Sequence, residues 1–144
     1  MITHPPGLHA FTLVAALLPS LSASHAAAQS HIDLSKLPPP ANQPGLAYAS
    51  DIKPIFDTSC VRCHGAEKPK AGLRLDNLAD ALKGAGKTRV ILPGNSAQSP
   101  LVHSIAHLGP EDHFMPPPGN KAGIPRLTAE QIGLVRAWID QGAK

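Results

Sequence analysis

The sequence predicts a small all-α domain with long loops. Four segments carry apolar residues at helical spacing, each between residues that favour the start and the end of a helix. No stretch of useful length alternates apolar and polar residues as strands do, and no internal repeat is visible. The 144 residues include 16 prolines and 12 glycines, which predicts one modest domain with irregular connections.

The N-terminal segment has the composition of a cleaved signal peptide. Residues 10–28 place a short apolar run before a Ser- and Ala-rich stretch that ends in three alanines, the pattern that precedes a signal-peptidase site. We therefore predict a signal peptide over residues 1–28, cleavage before Gln29 and a periplasmic or otherwise exported protein. Positive charge near the N-terminus is weak, so an uncleaved anchor is the alternative. The apolar run is shorter than the roughly 20 residues of a membrane span, and no transmembrane span is predicted in the mature chain.

Residues 29–47 are proline-rich and show little apolar periodicity. They are predicted to form an extended leader that need not belong to the folded core. The folded domain is predicted to occupy residues 48–144.

The first two helices follow this leader. The first is predicted to begin with Ser50 as its N-cap and to run towards Cys60. A second, shorter helix lies in DNLADALKG, with Asp76 or Asn77 as its cap and Gly84 as its stop. The apolar face of the first helix is formed by Ile52, Ile55 and Phe56.

Two further helices complete the predicted domain. Ser99 is expected to cap the third, Pro100 to occupy its first position, and Gly109 to end it. The fourth begins at Thr128, which forms a capping box with Gln131, and it continues to Gly142. The apolar residues of the fourth helix are three and four apart: Ile132, Val135, Trp138 and Ile139.

The chain contains two cysteines, Cys60 and Cys63, and His64 follows the second directly. A C-x-x-C pair is found in zinc sites and in redox-active dithiols, and with a following histidine it is the attachment motif of a c-type haem. A zinc site normally has four ligands and no second such pair is present, although His103 and His107 are four residues apart. A thioredoxin-like dithiol would need strands that are not predicted. In an exported chain, covalent attachment to one haem c explains both thiols best, with His64 as an iron ligand.

The second iron ligand is predicted to be Met115. Three prolines follow it, which favours an extended loop that leaves the thioether free, and sulfur suits haem iron. The alternative ligands are His113, in the same loop, and His103 or His107. A methionine that only fills a gap in the core is the other interpretation.

These motifs together resemble class I c-type cytochromes, and most closely the planctomycete-type cytochrome c domain. The resemblance extends from about Tyr48 to Lys144 through DIKPIF, CVRCHG, KPKAGLRLD, ILPGNSAQSPLV, MPPP and LTAEQIGLVRAWIDQGA. It implies a small cytochrome c-like helical domain with long loops around a covalent haem, in which the first and last helices cross and Trp138 packs nearby. It also implies that Cys60 and Cys63 hold the haem and that His64 and Met115 ligate its iron.

One position departs from the pattern of this family. In KAGLRL, Leu73 stands where many class I cytochromes have a proline, beside the carbonyl that accepts the axial histidine's N–H. A carbonyl needs no particular side chain, so we expect the acceptor within residues 71–73.

The predicted function is an exported one-electron carrier rather than an enzyme, since no paired acid/base groups accompany an open iron site. The alternative is a haem-based sensor or ligand-binding module with a displaceable sixth ligand. The net charge of +3 includes no basic run, so nucleic acid is not an expected partner. The expected partner is an unidentified redox protein. Five basic residues near the motif could steer an acidic partner, or be ordinary solvated charges: Lys53, Arg62, Lys68, Lys70 and Arg74.

Overall fold

The computed structural model describes residues 1–3, 32–67 and 69–144. The predicted signal peptide beyond residue 3 and its cleavage site lie outside the described residues, as does Lys68. Across the described ranges, short α-helices are joined by 3-10 turns and loops, and an isolated bridge between Ala85 and Thr88 is present but no strand. The predicted all-α fold class is confirmed.

The α-helices are α1 (Lys53–Ser59), α2 (Val61–His64), α3 (Leu78–Lys83), α4 (Pro100–Ile105) and α5 (Ala129–Asp140). A π-helical turn, Tyr48–Ile52, precedes α1. The prediction that Ser50 is the N-cap of the first helix is wrong, because the helical path begins earlier and Ser50 lies inside this turn. The N-cap is Ala47, whose amide donates to Oδ2 of Asp51 at 2.9 Å.

Helix α3 agrees with the prediction, with Asn77 as its cap and Gly84 directly after it. Helix α4 begins after Ser99 as expected, but it ends at Ile105 and not at Gly109. The reason is that His107 adopts a left-handed conformation with φ of 55°, which no α-helix accommodates. The polypeptide therefore turns away from the helix axis two residues after α4.

The first and last helical segments pack through an aromatic cluster. The ring of Trp138 on α5 lies 5.9 Å from that of Tyr48 and 6.4 Å from that of Phe56. Trp138 is fully buried, and its indole N–H donates to the main-chain oxygen of Lys144 at 2.9 Å. The predicted capping box of α5 is present, with both Thr128–Gln131 hydrogen bonds. The expectation that Trp138 packs near the first and last helices is confirmed.

The described part of the proline-rich leader lies against α5. We call residues 33–46 the strap. The Ala41 amide donates to the Gly133 carbonyl at 2.9 Å, and the Arg136 guanidinium donates to the carbonyl of Pro38. Gln141 donates to the Gln43 carbonyl at 2.8 Å. Leu37 and Leu46 of the strap belong to the buried core, so this segment packs with the helices although its sequence lacks their periodicity.

Candidate functional site

The two thiols lie at the junction of α1 and α2. Cys60 separates the helices, and its carbonyl accepts hydrogen bonds from the amides of Cys63 at 3.0 Å and His64 at 2.9 Å. These bonds wind residues 60–64 into one turn. Both cysteines are free thiols, and burial raises the pKa of Cys60 to about 12, with the neighbouring Cys63 adding to the rise.

Gly65, which follows this turn, has no room for a side chain. A Cβ atom on Gly65 would lie 2.7 Å from the carbonyl oxygen of Val61 and 3.1 Å from a methyl carbon of the same residue. The backbone cannot move away cheaply, because it belongs to α2. The glycine after His64 therefore allows the chain to leave the helix at close range.

The imidazole of His64 is oriented by a main-chain carbonyl. Its Nδ1 lies 3.3 Å from the carbonyl oxygen of Leu73. Because a carbonyl oxygen can only accept, Nδ1 carries the hydrogen and Nε2 retains its lone pair. The acceptor expected within residues 71–73 is thus Leu73. Burial lowers the pKa of His64, which favours the neutral ring that a metal requires.

The loop that delivers this carbonyl is tightly turned. Ala71 and Gly72 both have left-handed φ values, 53° and 68°. After the turn, the Leu75 amide donates to the His64 carbonyl at 2.7 Å, and the Leu75 carbonyl accepts from the Tyr48 hydroxyl at 2.8 Å. The segment around the histidine is therefore held without the proline that many class I cytochromes have there.

A cavity of about 870 Å³ adjoins these residues. Its wall includes the four residues that were predicted to attach the haem or ligate its iron: Cys60, Cys63, His64 and Met115. Most of the remaining wall is apolar and comes from four parts of the fold, including Leu73, Leu75, Val90, Leu101, Ile105 and Ile124. The thiols, the imidazole and the thioether thus share one largely apolar cavity, although His64 and Met115 are 51 positions apart in the chain.

Met115 is half-buried, and its amide donates to the Ser104 carbonyl of α4 at 3.0 Å. Of the alternative histidines, His113 is exposed and also lines the cavity. His103 and His107 are absent from the wall, and their Nε2 atoms lie 2.7 Å from the Ala97 carbonyl and 3.1 Å from the Pro116 carbonyl.

The zinc alternative has little support in this geometry. His107 lies beyond the end of α4, so it does not share a helical face with His103. Over residues 1–3, 32–67 and 69–144, no group of three or more His, Cys, Asp or Glu side chains is arranged to hold a metal ion. The strands that a thioredoxin-like dithiol would need are likewise missing from those ranges.

The basic residues near the motif differ in their surroundings. Lys53 is paired with Asp57 at 2.7 Å, and Arg74 is paired with Asp76 at 2.7 Å and Asp80 at 2.9 Å. Exposed basic residues that line the cavity are Arg62, Lys70 and Lys121. Lys121 was not predicted, since its place beside the cavity depends on how the loop after Met115 folds.

The sequence analysis also missed the residue that closes this loop. The Asn120 side chain donates to the carbonyls of Pro117 at 3.0 Å and Ile124 at 2.8 Å, and it accepts from the Ile124 amide at 2.9 Å. An asparagine between proline- and glycine-rich stretches is a known turn former, which is the pattern that could have identified it. In the part of the chain that is described, no helix has the length and apolar character needed to cross a bilayer.

Comparison with known proteins agrees with the motifs. Residues 60–119, from the first cysteine to the loop after Met115, match the profile of the family described as Planctomycete cytochrome C. No curated protein and no solved structure matches the chain. The matched residues include both thiols, the histidine and the methionine of the cavity. Residues 60–119 of this chain are therefore similar to the planctomycete cytochrome c family.

Proposed function

We propose that this protein is an exported one-electron carrier with one covalent haem c. The observation that carries the proposal is the convergence of Cys60, Cys63, His64 and Met115 on one largely apolar cavity. This donor set suits a haem, because it offers two thiols for thioether bonds, an imidazole nitrogen and a thioether sulfur. When bound, such a haem supplies a couple that exchanges one electron.

Each residue then has a distinct role. Cys60 and Cys63 hold the group covalently, and His64 presents Nε2 to the iron while its Nδ1–H donates to the Leu73 carbonyl. That hydrogen bond fixes the orientation of the ring and makes the nitrogen a stronger ligand. Met115, which lines the same cavity, would provide the second ligand to the iron. A His/Met pair raises the reduction potential, and the largely apolar wall would act in the same direction by reducing contact of a bound haem with water.

Electron transfer is favoured over catalysis because His64 and Met115 would together supply two protein ligands to a bound haem iron. An enzyme of this type would need an open position beside positioned acid and base groups. The polar groups Asp112 and His113 do line the cavity, but both are exposed. A sensor with a displaceable sixth ligand is the alternative, and His113 is the residue that would replace Met115 in it.

The ligands can be tested by absorption spectroscopy of protein matured by haem-attachment machinery. Haem that survives denaturation would establish covalent attachment. The oxidised wild type is expected to show the far-red sulfur-to-iron band, Met115→Ala to lose it, and His113→Ala to retain it. A wild type that lacks the band would contradict Met115 as the ligand, and a spectrum changed by His113→Ala but not by Met115→Ala would assign the position to His113. Rapid binding of carbon monoxide or cyanide by the wild type at low concentration would favour a sensor.

Export and the partner are part of the same proposal. N-terminal sequencing of the periplasmic protein is expected to begin at Gln29, and full-length protein in the membrane fraction would contradict cleavage. The exposed Arg62, Lys70 and Lys121 beside the cavity favour an acidic redox partner. The rate of electron exchange with an acidic protein should then fall as ionic strength rises, and neutralising these residues should remove that dependence.

A further inference from the structure

The loop that carries Met115 is held at both flanks by one side chain. The ring of His107 stacks on that of Phe114, with centroids 4.6 Å apart and planes 13° apart. Its Nε2 lies 3.1 Å from the carbonyl oxygen of Pro116. Phe114 precedes Met115 and Pro116 follows it, so His107 contacts the residue on each side of the proposed ligand.

The backbone of His107 is placed for these contacts by an uncommon conformation. Its φ of 55° lies in the left-handed region, where non-glycine residues are seldom found. This conformation ends α4 and turns the side chain towards the methionine loop. The guanidinium of Arg126 donates to the preceding Ala106 carbonyl at 3.2 Å, which supports the turn from its other side.

The same segment contacts the loop a second time through the main chain. Ser104, the penultimate residue of α4, accepts the Met115 amide at 3.0 Å. Two hydrogen bonds and one stacked pair thus connect residues 104–107 to residues 114–116. They fix the loop on both sides of the thioether, while His107 itself stays off the cavity wall.

We propose that His107 is a positioning residue that keeps the Met115 thioether directed into the cavity, an inference that rests on the proposed role of Met115 as the sixth ligand. A carbonyl only accepts, so the His107 ring donates through Nε2. Loss of that donor releases the carbonyl of Pro116 and raises the population in which the loop is open. An external ligand that competes with Met115 then binds more tightly.

The test measures imidazole binding to the oxidised, haem-loaded protein together with the sulfur-to-iron band. His107→Phe keeps a ring for Phe114 and removes the donor, whereas His107→Gln restores an amide donor without the ring. The matched control is His103→Phe. His103 is half-buried on α4, and its ring also bonds a carbonyl, that of Ala97 at 2.7 Å, which does not belong to the methionine loop. Urea unfolding of each variant separates loop opening from general destabilisation.

We expect imidazole to bind His107→Phe about three- to tenfold more tightly than wild type, the range that one lost hydrogen bond produces. His107→Gln should return towards the wild-type value and His103→Phe should match it. Equal effects of His107→Phe and His103→Phe, or no effect of His107→Phe in a protein that has the band, would overturn the inference alone. A wild type that lacks the band would overturn the assignment of Met115 and the inference with it.

Discussion

Tyr48 connects the haem-binding motif to the packing of α5, and its hydroxyl can be removed without disturbing its ring. The hydroxyl donates to the buried Leu75 carbonyl at 2.8 Å, and the Leu75 amide in turn donates to the His64 carbonyl at 2.7 Å. The ring lies against Phe56 and Trp138. Tyr48→Phe should keep these aromatic contacts and remove a single hydrogen bond.

The size of the effect follows from what is left behind. A hydrogen bond contributes about 0.5–1.5 kcal/mol net, but a buried carbonyl left without a partner costs about 1–3 kcal/mol. Leu75 is only 1% exposed, so water does not readily replace the hydroxyl as the partner of its carbonyl. We expect Tyr48→Phe to lower the free energy of unfolding by about 2 kcal/mol, which lowers Tm by about 10 °C in a domain of this size.

The assay is urea unfolding of the haem-loaded protein, followed through the fluorescence of Trp138, the single tryptophan of the chain. Its emission is quenched near a haem and should recover on unfolding. Tyr48→Ala serves as the comparison, since loss of the ring should cost a further 1–3 kcal/mol or so. A Tyr48→Phe protein within about 0.5 kcal/mol of wild type would refute the reasoning, because it falls below the cost of any unpaired buried carbonyl.

The same hydroxyl makes an independent prediction about pH. Burial, with the nearby Asp57, raises the pKa of Tyr48 from 10.0 to about 12. Because the folded pKa lies above the unfolded one, this contribution to stability is complete below pH 10 and is lost as the pH rises towards about 12. Wild type should therefore lose more stability than Tyr48→Phe over that interval. Parallel pH profiles of the two proteins would contradict the assignment.

Three further changes probe other parts of the fold. Gly133→Ala would place a Cβ 2.9 Å from the Pro39 carbonyl oxygen of the strap. In urea unfolding it should destabilise the full chain by about 1 kcal/mol, after subtraction of the helix propensity that alanine adds. In a chain that lacks the strap the same change should be stabilising. Thr128→Ala removes the α5 cap and should cost about 1 kcal/mol, whereas Thr128→Ser should cost little. The hydrogen bond from Arg74 lowers the pKa of Asp76, so the stabilisation from this pair is present above pH 3.8 and is lost as the pH falls. Asp76→Asn should therefore lose less stability on acidification than wild type, and identical acid-unfolding profiles would contradict this prediction.

The sequence predicted correctly those helix ends that depend on residues nearby in the chain. Asn77, Thr128 and Gln131 act within one turn, so their capping roles were visible in the sequence. Ser99 stands at the predicted start of α4, yet its hydroxyl accepts from the Leu92 amide and donates to the Asn95 carbonyl. Those partners come from an adjacent loop, and no local pattern distinguishes them from a cap.

The parts that the sequence could not provide depend on distant contacts. Ser50 looked like a cap because nothing local shows that Tyr48 is drawn into the core by Leu75 and Trp138. The left-handed His107 ends α4 early because its ring meets the methionine loop. The sequence motifs singled out four residues that line one cavity, and their roles as haem ligands stay predictions. Lys121 reaches the cavity only through the path of its loop.

The contacts between the strap and α5 also determine when the strap can fold onto the rest of the molecule. Arg136 bonds to Pro38, and Gln141 to Gln43, in each case across 98 positions of the chain. A ribosome adds about 5–20 residues each second, so the strap waits about 5–20 s for its binding surface to be synthesised. Cys60–His64 are synthesised early in that interval, whereas Trp138 is added only near its end. The CVRCH turn is therefore synthesised before the helix that covers its neighbouring aromatic residues, and the strap, although made early, is among the last segments to take its place.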